Sequence, residues 1–216
     1  MNESDIRNEL VRISKYLHNR SYLVAADGNL SYRITDKRIL ITASKCNKSF
    51  MTMDDFAVVD IDNKVIEGSP SSELLLHTNV YQKCSEAKCV IHAHPPVAIA
   101  WTIAKPDMTE LPAETMSEII VGVGKIPIVP YARPCTEALA NSISPYVPDN
   151  KVMILARHGV LSWGQTLLEA ANGVERTENC ALILAQAQML GGLTYLPDEE
   201  VKALYKIRQN RGVGNL

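Results

Sequence analysis

Lysine and arginine do not outnumber aspartate and glutamate in this chain (22 against 24), and the cationic residues are scattered. A net charge of −2 leaves no basic groove of the kind that tracks a phosphate backbone, so nucleic-acid partners are not expected. No apolar run approaches the roughly 20 residues that a membrane-spanning helix requires. The opening residues Met1-Asn2-Glu3-Ser4-Asp5 are polar and acidic, without the basic start and apolar stretch of a secretion signal. There is also no Cys-x-x-Cys pair. The five cysteines, Cys46, Cys84, Cys89, Cys135 and Cys180, are odd in number and dispersed, which predicts free thiols in a reducing, cytoplasmic setting. Repeats, low-complexity tracts, linkers and the Walker and dinucleotide glycine patterns are all missing.

What is present is the balance of an ordinary globular domain: 46% apolar and 21% charged residues in a chain of 216. Ile6, Leu10, Ile13 and Leu17 recur at helical spacing and predict an amphipathic first helix over 5–20. Strands are predicted at 29–35, 38–42 and 57–61, with turns at Asp36-Lys37 and Asp62-Asn63. A helix should open at Pro70-Ser71-Ser72-Glu73 under a serine cap and run to about Cys84. Beyond it lie a strand at 88–92, a proline-led helix at 97–103, a strand at 126–129, a helix from about Thr136 and one strand at 151–163. The helix over 167–190 contains no proline and ends at Gly191-Gly192. A last helix starts near Pro197-Asp198, and 211–216 read as a disordered tail. Alternating strands and helices predict one α/β (α+β) domain over 1–216.

The most informative tetrad is Ile91-His92-Ala93-His94. On a strand, residues two apart face the same way, so both imidazoles project together, and Pro95-Pro96 puts the pair at a strand end. A third histidine stands in Arg157-His158-Gly159, expected within the apolar strand. Three histidines with an open fourth position form the donor set of catalytic zinc rather than of a structural site. Manganese or cobalt would also suit imidazole ligands. His77, four residues after Glu73 on one helix, is read as a packing residue.

Three segments combine small polar residues with a turn or helix start: Gly28-Asn29-Leu30-Ser31, Thr42-Ala43-Ser44-Lys45 and Ser69-Pro70-Ser71-Ser72-Glu73. Hydroxyls and free backbone amides of this kind bind phosphate, and Lys45 could add charge. Glu73 suits a helix start electrostatically, and near a metal-bound carbonyl compound it could act as a general base.

In order and spacing, these segments resemble the class II aldolase/adducin family over about residues 5–190. The resemblance implies a central, mostly antiparallel sheet flanked by helices, and a homotetramer with active sites at subunit interfaces. It implies His92, His94 and His158 as zinc ligands, and Glu73 as catalytic acid/base that can also touch the metal. Gly28, Asn29, Ala43, Ser44, Ser71 and Ser72 would hold the phosphate of a small phosphorylated sugar. The implied activity is cleavage of a ketose 1-phosphate, such as fuculose 1-phosphate, to dihydroxyacetone phosphate and a small aldehyde. A pentulose-phosphate 4-epimerase, a methylthioribulose-1-phosphate dehydratase or aldolase, and a non-catalytic adducin-like scaffold share the same frame. The sequence departs from the family at Met116, which stands where fuculose-phosphate aldolases carry a tyrosine reaching in from a neighbouring subunit. Glu118, rather than the nearby Glu114, or else an ordered water, is the expected replacement for proton transfer.

Overall fold

Asn2 caps the first helix, its side chain accepting from the Asp5 amide at 2.9 Å while Asp5 Oδ2 accepts from the Asn2 amide at 3.1 Å. Helix α1 (Glu3–Asn19) then buries Ile6, Leu10, Ile13 and Leu17, the stripe expected from their spacing. The computed structural model describes residues 2–210, so the expected tail at 211–216 lies outside the described residues. Strands β1 (Asn29–Thr35) and β2 (Arg38–Thr42) form an antiparallel hairpin around Asp36-Lys37. Strand β3 (Phe56–Asp60) pairs with β2, and a three-residue strand β4 (Val65–Glu67), too short and exposed to show in the pattern, closes that edge. Helix α2 (Leu74–Lys83) leads to β5 (Cys89–Ala93) and the proline-started α3 (Pro96–Ala104). A 3-10 turn (Ala113–Thr115) and α4 (Ser117–Gly122), neither expected, precede β6 (Ile128–Val129). Helix α5 (Glu137–Ser142), strands β7 (Val152–Leu155) and β8 (Gly159–Gly164), α6 (Leu167–Met189) and α7 (Asp198–Asn210) complete the chain.

The eight strands make one sheet in the order β4-β3-β2-β1-β5-β8-β7-β6, antiparallel throughout except between β6 and β7. Strand alternation gives the sheet two buried faces. Leu30, Leu40, Cys89, Ile91 and Val160 pack with residues of α1, α3 and α6. Ile39, Ile41, Val90, Met153 and Leu161 pack with α2 and α5. His92 shares the parity of Val90, so its ring lies on the α2 face, the side from which Glu73 approaches. All five cysteines are free thiols. No helix among the described residues is long and apolar enough to cross a membrane.

Two expectations are corrected. The run 151–163 is a hairpin rather than one strand: the chain reverses at Ala156-Arg157-His158, where Arg157 has φ of 60°, and His158 therefore sits in the turn. Apolarity continues through both arms because each is buried, which hid the break. The serine cap is also absent. Glu73 occupies the N-cap of α2 without a side-chain cap bond, although Ser71 Oγ accepts from the Glu73 amide at 3.3 Å.

Leu10 is fully buried between α1 and the sheet. Leu10→Ala should lower the free energy of unfolding by about 2–5 kcal/mol in denaturant titration, whereas a loss under 1 kcal/mol would contradict the placement of this core.

Candidate active site

Three strand ends and one helix start converge. His92 lies one residue before the end of β5 on the α2 face and is fully buried, His94 follows the strand, and His158 arrives from the β7–β8 turn. The approach depends on Gly159: a Cβ there would stand 2.5 Å from Ala93 O, 2.7 Å from His94 Cδ2 and 2.8 Å from His92 Cε1. Gly28, with φ of +70°, plays the same part below, since a Cβ would lie 2.7 Å from His92 O. The result is His94 Nε2 at 3.0 Å and His158 Nε2 at 3.3 Å from His92 Nε2. Glu73 Oε2 stands 3.3 Å from His92 Nε2, and Glu73 Oε1 stands 3.2 Å from His158 Nε2.

These separations suit a cation. A tetrahedral ion with bonds of about 2.0–2.1 Å to nitrogen spaces its ligand atoms about 3.3 Å apart. His92 Nδ1 donates to Val160 O at 3.1 Å, which leaves the Nε2 lone pair facing inward. That single lone pair is approached by both other rings, and it can serve only one donor in line. Glu73 Oε1 and His158 Nδ1 are buried without a hydrogen-bond partner. Burial, reinforced for His94 by the neighbouring rings, lowers His92 to about 4 and His94 to about 3, so both are neutral donors near pH 7. Burial alone would raise Glu73, but His158, His92 and the Asn29 amide outweigh it and hold the carboxyl below its ordinary range. Histidines 92, 94 and 158, with Glu73 beside them, therefore fit a first-row dication.

Glu73, His94 and His158 line a cleft of about 230 Å3. Its walls include each residue expected at the phosphate: Gly28, Asn29, Ala43, Ser44, Ser71 and Ser72. Backbone bonds stitch these segments together, Ser44 N donating to Ser69 O at 2.9 Å and Ser71 N to Thr42 O at 3.1 Å. Lys45 lines the same space. Three lining residues went unnoticed in the sequence. Lys48 is 1% exposed, its ammonium donating to Ala26 O at 3.0 Å and Cys46 O at 2.8 Å. Asp27 Oδ2 reaches within 4.0 Å of His94 Nδ1, and Cys135 Sγ donates to Ser72 Oγ at 3.2 Å. None belongs to a local motif, since loops meeting only in space bring them here. Glu118 is exposed on α4 and, with Met116 and Glu114, does not line the cleft of a single chain. His77, read as packing, is fully buried and hydrogen-bonded at both ring nitrogens.

The model of the Class II Aldolase and Adducin N-terminal domain matches residues 8–185. A 3-oxo-tetronate 4-phosphate decarboxylase of Haemophilus influenzae is 30% identical over 205 residues, covering 94% of this chain and 95% of the relative. An L-fuculose phosphate aldolase of Methanococcus vannielii is 33% identical over 174 residues, covering 80% and 92%. Among solved structures, YgbL from Klebsiella pneumoniae superposes with a TM-score of 0.88 at 28% identity, covering 94% of this chain and 99% of that one.

Two outcomes follow from this geometry. Gly159→Ala should abolish stoichiometric metal binding in elemental analysis while the fold, judged by circular dichroism, persists; full occupancy would contradict the close approach. In metal-free protein, His77 and His92 sit near 4 and His94 near 3, against 6.5 for an ordinary histidine. The unfolded chain thus binds more protons below 6.5, and stability is lost as pH falls from there towards 4. The slope is roughly 1.4 kcal/mol per pH unit for each histidine. Tm of the metal-free protein should therefore drop between pH 6.5 and 4.5, above the range of most carboxylates, and a flat profile would refute the neutral cluster.

Proposed function

The chain belongs to the class II aldolase and adducin family, and from that premise we propose that it is a metal-dependent lyase acting on a small phosphorylated 3-oxo acid of the 3-oxo-tetronate 4-phosphate type. The observation that carries the reading is the placement of three converging imidazoles and one ionised carboxylate at the end of a hydroxyl- and lysine-lined cleft. Zinc is the proposed ion, held by His92, His94 and His158. When bound, it supplies Lewis acidity that draws off the negative charge developing on the substrate's carbonyl oxygen.

The residues of the chain do the remaining work. Ser44, Ser71, Ser72 and the backbone at Gly28 and Ala43 grip the phosphate, with Lys45 and Lys48 supplying positive potential, and this fixes the reacting carbons beside the histidines. The bond between C1 and C2 breaks, CO2 leaves, and its electron pair stays at C2, next to the C3 carbonyl. Glu73, ionised in the resting site, takes a proton from solvent and delivers it to C2, giving dihydroxyacetone phosphate. One proton is consumed and one CO2 released.

Decarboxylation is favoured over aldehyde release by Met116. Aldol cleavage must also strip a proton from a leaving hydroxyl, the part that a tyrosine would serve, whereas CO2 departs with no such proton to lose. Cleavage of a ketose 1-phosphate is the second reading, supported by the 33% identity to an L-fuculose phosphate aldolase. It needs a second proton-transfer group, for which Glu118 of a neighbouring subunit is proposed. A tetramer would also cover exposed apolar side chains such as Phe50, Tyr131, Met189 and Leu190.

The 3-oxo acid phosphate incubated with enzyme in D2O should yield dihydroxyacetone phosphate carrying one new C–D bond, with one equivalent of CO2. Glu73→Gln should slow this by about 100- to 10,000-fold. Aldehyde release from ketose 1-phosphates without any CO2 from the oxo acid would decide for the second reading.

A further inference from the structure

Behind Glu73 runs a line of buried hydrogen bonds that the reaction scheme leaves unused. Asn29 Nδ2 donates to Glu73 Oε2 at 2.9 Å, and Asn29 Oδ1 meets His77 Nε2. His77 Nδ1 lies 2.7 Å from Ser31 Oγ, which lies 2.7 Å from the Tyr81 hydroxyl. At the far end the Arg33 guanidinium stacks 4.9 Å over the Tyr81 ring and donates to Tyr81 O. Ser31 and His77 are fully buried, Tyr81 is 3% exposed and Asn29 4%.

The donors in this line can point only one way. The Asn29 amide turns its NH2 toward the Glu73 carboxylate oxygen, which accepts. Oδ1 then faces His77 and accepts, which requires Nε2–H. A neutral imidazole protonated at Nε2 has its lone pair at Nδ1, and that lone pair takes the Ser31 hydroxyl proton. Ser31, its one proton committed, accepts from Tyr81. Without the His77 donor, the amide could rotate by half a turn and set its oxygen against the carboxylate, like charge against like.

We propose that His77 is a positioning residue for catalysis: it locks the Asn29 amide, and through it the Glu73 carboxylate, into the orientation that serves the metal site, while Ser31 and Tyr81 fix the His77 tautomer. The second amide proton of Asn29, which lines the cleft, is thereby aimed at a bound ligand. The catalytic half of this inference rests on the reading of Glu73 as the proton carrier; the orientation of the line does not.

Two measurements separate them. Imidazole nitrogen NMR of the intact protein should show His77 neutral and protonated at Nε2, with Ser31→Ala releasing it into exchange between tautomers. A charged ring, or a proton resting on Nδ1, would overturn the directed line whatever the enzyme does. In turnover, His77→Leu should lower kcat by about 10- to 100-fold with metal stoichiometry unchanged. His77→Gln, whose amide can donate to Asn29 Oδ1, should restore kcat to within a few-fold of wild type. A Leu variant as fast as wild type, or a Gln variant as slow as Leu, would overturn the positioning role. If wild-type enzyme shows no lyase activity at all, the functional reading fails while the tautomer measurement still decides the orientation.

Discussion

Everything in the site depends on how closely β8 approaches the end of β5. Two residues meet there, Gly159 and His92, and the absence of one carbon atom decides the distance. With a methyl group at 159, the chain could not set His158 3.3 Å from His92. The sheet order places β5 between β1 and β8. The strand that carries His92 and leads into His94 is thus flanked by the strand that begins with Asn29 and by the strand that follows the His158 turn. Helix α2 covers that face and brings in Glu73 at its first turn and His77 one turn further along.

That concentration has a thermodynamic side. Four nitrogen and oxygen donors held within hydrogen-bonding distance, largely away from solvent, lose hydration that they do not recover from one another. The lowered affinities of His92 and His94 for protons express this loss, and so do the unpartnered Glu73 Oε1 and His158 Nδ1. A cation held by the Nε2 atoms repairs the deficits that face it, Glu73 Oε1 among them though not the outward-facing His158 Nδ1, and its binding free energy becomes part of the stability of the folded chain. The buried line from Tyr81 to Asn29 does the opposite, linking each side chain along it to the next, and so provides a rigid backing for the carboxylate.

Much of this was legible in the sequence. The period of Ile6, Leu10, Ile13 and Leu17 marked α1, and the alternation on either side of Asp36-Lys37 marked the β1–β2 hairpin. Strand alternation predicted one face for His92 and His94, and their ring centroids lie 4.8 Å apart although His94 falls just past the end of β5, while the polar segments around Asn29, Ser44 and Ser71 line one cleft. Contacts between distant segments were not legible. His158 looked like a strand residue because both arms of its hairpin are buried and apolar. Lys48 and Cys135 carry no local signal, since only tertiary folding brings them to the cleft. His77 read as packing because its partners lie 46 and 48 positions away along the chain.

The central claim, that this cluster holds one catalytic ion beside Glu73, is tested most directly by following CO2 release from the 3-oxo acid phosphate during metal titration of chelator-stripped protein. The account predicts negligible turnover in the stripped protein and activity rising in proportion to bound zinc up to one ion per chain. It also predicts that His92→Asn removes both the binding and the activity. Full turnover with no bound metal, or stoichiometric zinc bound elsewhere in His92→Asn with activity retained, would contradict it.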